Sequence, residues 1–237
     1  MSYLEHPPPP ELALWVECMW ERRAGDGRPV RVLPDGCVDV VWIEAAGTHV
    51  VGPNTTAFTV GLAPGTRVVG ARLRPGAAPG LLGLAPESVV DARIPVEDVW
   101  AGDGARLAQS LELDADPAAG LRAWLDGRTP RADRPDRLVR EAIGRLGRPD
   151  VVVSRLADEL GISERQLRRR VSAAVGYGPK RLARVLRLQR ALEAGRRAAG
   201  GELARVALDA GYADQAHFTN DCRALAGVTP SVVLADR

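Results

Sequence analysis

The sequence predicts an α+β chain from three observations. A sequence unit is repeated in the last third, short valine-rich runs precede it, and the net charge changes between the two parts. We expect a small N-terminal antiparallel β-barrel or sheet with helices, followed by an all-α region with two helix-turn-helix motifs. Counting Lys and Arg minus Asp and Glu, residues 1–130 give 11 − 17 = −6 and residues 131–237 give 21 − 13 = +8. This asymmetry predicts that only the C-terminal part meets phosphate.

The N-terminal part contains short β-branched runs separated by Gly, Pro and Asn, a pattern typical of an antiparallel sheet or small barrel. Residues 11–21 are expected as either a strand or a short helix, and residues 75–83 as a helical cover on the sheet. The predicted strands are residues 30–33, 38–43, 49–51, 57–60 and 67–73.

Helical periodicity begins near residue 95, where apolar residues recur three and four positions apart and acidic residues stand near the starts of the segments. The segment 128–137 has two prolines and few apolar residues, which predicts a linker. A helix over 137–148 then opens the basic region. The predicted helices before the linker cover residues 96–100, 105–113 and 117–125.

The repeated unit runs LADELGISERQLRRRVSAAVGYGP in its first copy and VALDAGYADQAHFTNDCRALAGVTP in its second. Ala157 and Ala207 are 50 positions apart, whereas Leu167 and Phe218 are 51 apart, so the second copy has one extra residue in its turn. In each copy the alanine allows two helices to cross closely and a glycine allows the sharp turn after it. Two such units can present recognition helices to successive major grooves.

Capping and periodicity orient each second helix. Ser163 and Gln166 fit a capping box, and the side chains expected in the core are Leu167, Val171, Phe218 and Cys222. The outward side chains suit base edges, since arginine pairs with guanine and glutamine or asparagine with adenine. The outward set is Arg165, Arg168 and Arg169 in the first copy and Gln215, Ala216, Thr219 and Asn220 in the second, with His217 at the flank and Gln166 near the turn.

Between the two units, residues 179–195 predict an amphipathic helix. Lys180 and Arg181 at its start are candidates for phosphate contacts, and its inward side chains are expected to be Leu182, Val185, Leu186, Gln189 and Leu192. At 1.5 Å per residue, roughly 16 residues span about 24 Å, so this helix can help to separate two recognition helices by about one DNA turn.

These motifs resemble the AraC/XylS family of bacterial transcription regulators across about residues 138–235, most specifically through GYADQAHF and GVTP. The resemblance implies two helices in adjacent major grooves, with base contacts from Arg165, Arg168, Arg169, Gln215, His217 and Asn220. Three positions depart from the family pattern: Arg170 stands where an apolar residue is usual, Cys222 where phenylalanine is usual, and Asn220 where arginine is common.

The segments RVLPDGCVDVVW, VVGPNT and VVGARLRPGAAPGLLG resemble the N-terminal domain of a subset of actinobacterial AraC-type regulators, which is a reduced cupin-like sensor. That resemblance implies effector binding or dimerisation for residues 1–127, ahead of the linker 128–137 and a DNA-binding domain over 138–237. The polar residues expected near a ligand pocket are Asp35, Cys37, Asp39, His49, Arg72 and Arg74.

Several of these residues have two interpretations. Asp35 fits a turn, and Arg72 or Arg74 fits either an anchor for an anionic effector or an internal ion pair with Asp35 or Asp39. A Cys/Asp/His metal site is the weaker hypothesis, because no second cysteine or histidine stands at ligand spacing. No metal or cofactor is therefore predicted.

The predicted function is a sequence-specific DNA-binding transcription regulator controlled by a small-molecule effector or by dimerisation. Its expected partner is double-stranded DNA, with RNA polymerase, a small-molecule effector and a second copy as further candidates. A third hypothesis has no ligand, the first half only dimerising or contacting polymerase. Without a membrane-length apolar run or a signal-peptide pattern, the expected location is the cytoplasm.

The alternative from another class is a DNA-alkyl transferase with a reactive cysteine in the N-terminal domain. It would require an activated thiolate, whereas Cys18, Cys37 and Cys222 are widely spaced and fit reduced thiols. No Ser/His/Asp triad, Walker-type loop or HExxH motif occurs, so no enzymatic activity is predicted.

Overall fold

The computed structural model describes residues 2–197 and 203–235, in which strands come first and helices follow. The strands are β1 (Ser2–His6), β2 (Val16–Arg23), β3 (Val30–Val32), β4 (Val38–Ile43), β5 (Gly47–Val51), β6 (Phe58–Val60), β7 (Arg67–Leu73) and β8 (Arg93–Pro95). The helices are α1 (Ala78–Leu82), α2 (Val96–Leu113), α3 (Pro117–Asp126), α4 (Arg137–Leu146), α5 (Val153–Glu159), α6 (Glu164–Val175), α7 (Pro179–Arg197), α8 (Leu203–Asp209), α9 (Gln215–Ala226) and α10 (Pro230–Ala235).

Six of the strands form one antiparallel sheet in the order β1-β2-β7-β4-β5-β8, and β3 pairs with β6 in a separate two-stranded sheet. In the part of the chain that the structure describes, β1 and β8 stand at opposite edges and do not pair, so the large sheet is open. The α+β class and the sheet alternative are confirmed, and the closed-barrel alternative is wrong.

The two faces of the large sheet differ because apolar side chains alternate along its strands. In β4, Val38, Val40 and Trp42 join the main N-terminal core, which α1, α2 and α3 cover. Asp39 points to the opposite face, where Val41 belongs to a smaller cluster. Each core valine or leucine removed from water contributes about 1.5 to 3 kcal/mol. The helices therefore hold one face, and polar groups are concentrated on the other.

The sequence prediction locates most of these elements. Residues 67–73 form a strand as predicted, and the ambiguous segment 11–21 is a turn followed by β2. The helices predicted at 96–100 and 105–113 are joined in α2, which is kinked because Trp100 and Ala101 leave helical geometry, Ala101 with φ 45°. The prediction missed β1 and β8.

The C-terminal helices pack around α7. The predicted core residues Leu167, Val171, Phe218 and Cys222 are fully buried, which confirms the orientation of α6 and α9. The inward face of α7 is rotated from the predicted one: Leu182, Val185 and Leu192 are buried as expected, Leu188 is buried as well, and Leu186 and Gln189 are only half-buried.

The segment between the two parts is fastened to the sheet domain. The Trp15 indole N–H donates to the Asp133 carbonyl over 3.1 Å, and the Asp133 backbone N–H donates to the Gly80 carbonyl over 3.1 Å. Residues Thr129–Arg131 form one 3-10 turn. The predicted linker thus runs along the N-terminal domain.

Candidate nucleic-acid interface

The first helix-turn-helix unit is α5 and α6, joined by residues 160–163. Gly161 has φ 68°, a left-handed conformation that glycine adopts without steric cost. The Gln166 backbone N–H donates to Ser163 Oγ over 3.2 Å, and the Ser163 backbone N–H donates to Gln166 Oε1 over 2.9 Å. The predicted capping box is confirmed, and it occupies the carbonyl oxygen of the Gln166 side chain.

Because Leu167 and Val171 are buried, α6 presents its arginines outward. Arg165, Arg168 and Arg169 are all exposed. Arg170 contacts the neighbouring helix instead: its Nη1 donates to Asp136 Oδ2 over 2.9 Å at the N-cap of α4. The arginine at this usually apolar position therefore ties α6 to α4.

The second unit is α8 and α9, joined by residues 210–214, one residue more than in the first unit, as predicted. Asp214 caps α9, accepting a 2.7 Å hydrogen bond from the His217 backbone N–H. The Tyr212 ring packs edge-on to His217, with centroids 5.1 Å apart. The exposed side chains of α9 include Gln215, Ala216, His217 and Asn220, while Thr219 is half-buried.

A buried carboxylate anchors α9 to α7. Asp221 is 6% exposed and accepts from Arg184 Nε over 2.9 Å and from Arg184 Nη2 over 2.5 Å, with Arg187 Nη2 at 3.4 Å. This buried carboxylate was not predicted from the sequence. The available signal was an acidic residue on the same helix face as Phe218 and Cys222, where burial requires a cationic partner.

The sheet domain gathers charges around Arg72. Its Nε lies 3.2 Å from Asp35 Oδ2 and 3.5 Å from Asp39 Oδ1, and its Nη1 lies 3.3 Å from Glu5 Oε1. The Trp20 indole N–H donates to Asp39 Oδ2 over 3.1 Å. Internal ion pairing, one of the two interpretations of Arg72, is confirmed. The contacts of Glu5 and Trp20 with this group were not predicted. We call Glu5, Asp35, Asp39 and Arg72 the Arg72 cluster.

Asp35 is also the turn residue that the sequence predicts, since it accepts a 2.9 Å hydrogen bond from the Cys37 backbone N–H. Burial raises the pKa of Asp39 to about 6, with Arg72 opposing the rise and Asp35 adding to it. Burial acts to lower the pKa of Arg72, but Asp39 and Asp35 outweigh it and the pKa of Arg72 is raised. The cluster is a partly exposed cation among carboxylates.

Three of the six predicted pocket residues lie outside the Arg72 cluster. Cys37 is next to it, since its backbone N–H donates to Asp35. His49 lies in β5 opposite Val41 and Pro95. Arg74 donates to the Ala13 carbonyl over 3.0 Å and pairs with Glu17. Across residues 2–197 and 203–235, no group of three or more His, Cys, Asp or Glu side chains is arranged to hold a metal ion.

The three cysteines are free and buried. Burial raises the pKa of Cys18 to about 11, the pKa of Cys222 to about 11, and the pKa of Cys37 well above its ordinary value. A thiol of raised pKa carries little of the nucleophilic thiolate at neutral pH. This environment is the opposite of what the alkyl-transferase alternative requires.

The loop that contains Asp35 rests on the helical domain. Gly36 has φ 83°, and a Cβ there would lie 2.9 Å from Leu182 Cδ1 of α7. The Gln189 amide donates to the Pro34 carbonyl over 2.7 Å. Near Gly36, the buried Tyr177 hydroxyl has no hydrogen-bond partner among the described residues. Tyr177 comes two residues after the end of α6, so the loop connects the Arg72 cluster with the end of a recognition helix.

The sheet domain contacts the C-terminal ends of both recognition helices. Arg31 Nη1 donates to the Ala226 carbonyl over 3.0 Å, and the Ala57 backbone N–H donates to the Leu225 carbonyl over 2.6 Å at the end of α9. At the end of α6, the chain packs on the 3-10 turn Pro86–Ser88. These contacts come from strand β3, from the loop before β6 and from the 3-10 turn of the N-terminal domain.

Comparisons with known domain families match two separate parts of the chain. Residues 156–236 match the family model described as a helix-turn-helix domain, and residues 4–95 match a domain of unknown function, DUF6597. No curated protein sequence gives a significant match. In the part of the chain that the structure describes, no helix is long and apolar enough to cross a membrane.

Solved structures similar to this chain include proteins described as regulators. The C-terminal domain of AraT, a response regulator from Geobacillus stearothermophilus, is 22% identical, with 44% of this chain and 89% of that chain covered and a TM-score of 0.40. A probable AraC family transcriptional regulator from Rhodopseudomonas palustris CGA009 is 27% identical, with 41% and 91% covered and a TM-score of 0.35. An apo variant of ToxT from Vibrio cholerae is 12% identical, with 100% and 98% covered and a TM-score of 0.50.

The repeated fold and the matched domain model define the class of this chain: it is a DNA-binding transcription regulator. Its C-terminal region more particularly matches the model of a helix-turn-helix domain, in agreement with the AraC-type resemblance seen in the sequence. The N-terminal domain match is compatible with the cupin-like expectation.

Proposed function

We propose that this regulator binds a two-part operator through α6 and α9 and that a small anionic effector at the Arg72 cluster controls the binding. One observation carries the proposal: the N-terminal domain touches the C-terminal ends of both recognition helices, and the outer faces of these helices carry side chains of the types that read bases. A change in the sensor therefore acts on the relative position of the two helices.

The proposed base contacts come from Arg165, Arg168 and Arg169 in α6 and from Gln215, His217 and Asn220 in α9. Arginine is matched to guanine and the amides to adenine. Ala216 and Thr219 of α9 offer apolar contacts to thymine methyl groups. Gln166 is next to Arg165 at the start of α6. Lys180 and Arg181, both exposed at the start of α7, are proposed phosphate contacts.

The proposed effector competes with Asp35 for Arg72. Both side chains are accessible to solvent, Arg72 at 26% and Asp35 at 28%, and arginine binds carboxylate or phosphate in a two-pronged geometry. An anion that takes Arg72 would free the Asp35 loop, which packs on Leu182 and lies beside Tyr177. A regulator that binds genomic DNA is expected in the cytoplasm, and RNA polymerase stays a candidate partner.

The first test is selection of fragmented genomic DNA by the purified full chain at about 150 mM salt, where non-specific affinity is suppressed. We expect a motif with two half-elements about one helical turn apart. A variant with Arg168→Ala and Asn220→Ala should lose this motif, whereas Leu113→Ala, distant from the helix-turn-helix units, should retain it. Retention of the same motif by the double variant would contradict the assignment of the two helices.

The second test measures thermal unfolding of the full chain with pools of small carboxylates and phosphates. A ligand of the folded state raises the melting temperature by mass action. We expect a rise for the native chain, its loss in Arg72→Ala, and its retention in Arg74→Ala, because Arg74 lies outside the cluster. A rise that Arg72→Ala leaves unchanged would contradict the proposed site, and no rise with any pool would favour control by dimerisation alone.

A further inference from the structure

The two helix-turn-helix units share one hydrophobic core. Leu167 of α6 and Phe218 of α9 belong to the same cluster of buried side chains, together with Leu182, Val185 and Leu188 of α7. Each of these five side chains is fully buried, and α7 contacts both α6 and α9. The units can therefore move apart only if the common core opens. A close-packed interior resists such a displacement.

The units also contact each other directly through backbone atoms. Gly211 lies in the turn of the second unit, and Pro149 lies in the loop 147–152 that leads into α5 of the first. A Cβ on Gly211 would overlap the Pro149 carbonyl oxygen and would lie 2.7 Å from Pro149 Cα and 2.8 Å from its carbonyl carbon. Because these are backbone atoms, no side-chain rotation relieves the overlap. Only a residue without a Cβ allows this close approach.

A side chain of α7 binds at the same place. Arg190 Nη2 donates over 2.7 Å to the carbonyl of Ala210, the residue before Gly211. Burial is the main cause that lowers the pKa of Arg190, and the charge of Asp150, the residue after Pro149, opposes this shift. The guanidinium therefore interacts with both sides of the approach. We call Pro149, Arg190, Ala210 and Gly211 the inter-unit contact.

The equivalent glycine of the first unit has no such neighbour. Gly161 also has a left-handed backbone, with φ 68° compared with 82° at Gly211. Among the described residues, a Cβ at Gly161 would have no heavy atom within 4 Å beyond its chain neighbours. Both positions therefore favour glycine for its backbone conformation, whereas Gly211 in addition allows the close approach of another chain segment.

We propose that the inter-unit contact determines which separation of two half-elements the protein binds. This proposal rests on the proposed function, in which α6 and α9 bind one half-element each. One inserted base pair shifts the second half-element by about 3.4 Å and turns it by about 34° around the DNA axis. Two units held at a fixed separation cannot follow this shift unless the DNA is deformed, which costs free energy. Pro149, Arg190 and Gly211 are thus specificity-determining residues that act by positioning the recognition helices.

Binding of the full chain to operators of altered spacing tests the proposal. The operator recovered from genomic DNA is compared with versions that have one or two base pairs inserted between the half-elements. We expect the native chain to bind the altered versions at least about tenfold more weakly. Gly211→Ala should reduce this ratio at least about threefold, because the added Cβ separates the units. Gly161→Ala, the matched control, should keep the native ratio.

Two results of this experiment would overturn the proposal. The first is a native chain that binds all spacings equally. The second is a ratio between spacings that is the same in Gly211→Ala as in the native chain.

Arg190→Met tests the contact even where Gly211→Ala alters the fold. Methionine keeps an unbranched side chain but cannot donate to the Ala210 carbonyl. We expect a lower ratio between spacings for Arg190→Met and the native ratio for Arg196→Met, which changes an exposed arginine of the same helix. Loss of a charge alone weakens binding at every spacing alike. Equal ratios in the two variants would contradict the proposal.

A distance measurement without DNA distinguishes failure of this proposal from failure of the proposed function. Spin labels at Arg155→Cys on α5 and Leu208→Cys on α8 measure the separation of the units by pulsed electron resonance. Both positions are exposed, and the three native cysteines are buried. We expect one narrow distribution of distances in the native chain and in Gly161→Ala, and a broader or longer one in Gly211→Ala.

The two failures give different results. A distribution that Gly211→Ala leaves unchanged would overturn the inter-unit contact as the determinant of spacing, even where a two-part operator is recovered. Recovery of single half-elements, with the expected change in the distribution, would instead contradict the proposed function.

Discussion

The two helix-turn-helix units share a backbone and differ in how they are held and in what they present. The first, α5 and α6, has a reciprocal capping box, exposed arginines and an exposed ion pair from Arg170 to Asp136. The second, α8 and α9, has a single carboxylate cap, outward amides and an imidazole, and a buried anchor at Asp221. The two units therefore share a fold but differ in their caps, their exposed side chains and their ion pairs.

We infer from this difference that the two units have different roles in binding. Arginines supply attraction to phosphate together with guanine recognition, and they are sensitive to salt. Neutral amides read adenine without that electrostatic contribution, so their helix must be held accurately by other means. The buried Asp221 with Arg184 and Arg187 provides that hold in the second unit. The following variants separate the two units, beginning with the largest expected effect.

Removing the buried anchor should distinguish the units most strongly. Asp221→Ala leaves two cations facing a buried gap, and we expect a loss of about 2 to 4 kcal/mol in the free energy of unfolding, since breaking a buried pair is costly. Arg170→Ala removes an exposed pair and should cost less than about 1 kcal/mol. Urea denaturation of the full chain measures both values, and equal losses would remove this distinction between the units.

Variants in α6 and variants in α9 should change the base preference at different operator positions. Arg169→Ala and Asn220→Ala should each lose about 1 to 3 kcal/mol of binding free energy at one base position, guanine for the arginine and adenine for the asparagine. The two positions should fall in different half-elements. Lys180→Ala serves as control, because loss of a phosphate contact weakens all sequences alike. Binding to a randomised DNA library at fixed salt measures the base preference of each variant at every operator position. Identical base preferences for Arg169→Ala and Lys180→Ala would contradict the assignment of α6.

The caps should contribute nearly equally despite their different chemistry. Ser163→Ala and Asp214→Ala each remove an N-cap acceptor and should cost about 1 kcal/mol of stability. Ser163→Asp and Asp214→Asn keep an acceptor and should restore most of the loss. Thermal unfolding of the four variants provides the comparison, and a cost from Asp214→Asn as large as that from Asp214→Ala would show that charge, rather than capping, stabilises α9.

Salt dependence should distinguish the units with the smallest effect. Arg168→Ala should lower the slope of log affinity against log salt by about 0.9, equivalent to about threefold between 50 and 200 mM salt, if the arginine neutralises one phosphate. Gln215→Ala should leave the slope unchanged, because its side chain is neutral. Affinities measured at four salt concentrations give the slopes, and an equal decrease for both variants would argue against a charged first unit and a neutral second one.

Local rules explain why the helical region was predictable from sequence. The capping pair Ser163 and Gln166 indicates the start of α6 from four consecutive residues. The four-residue spacing of Leu167 and Val171 indicates which face of α6 is buried. The rotation of α7 was not predictable in this way, since Gln189 faces Pro34 of another domain. Its environment depends on a contact between residues 155 positions apart.

The sheet domain was less predictable because its pairing is long-range. β1 has no buried residue and therefore no alternation of burial to reveal it, and β8 contains Pro95, which argues against a strand. The ion pair of Arg72 with Asp35 or Asp39 was predictable from residue type. Glu5 was not, because only the pairing of β1 with β2 brings it to Arg72. Which polar residues read DNA stays a prediction for both units.

The hydrogen bonds that join Asp133 to Trp15 and Gly80 determine where a chimeric regulator should be joined. A graft that exchanges the sheet domain at residue 127 would separate the Trp15 indole from its acceptor, the Asp133 carbonyl, and Gly80 from its donor. A junction placed after Asp133 keeps those bonds with the domain that makes them. Swapped sensors joined at that point should transmit their signal more faithfully than sensors joined at the compositional boundary.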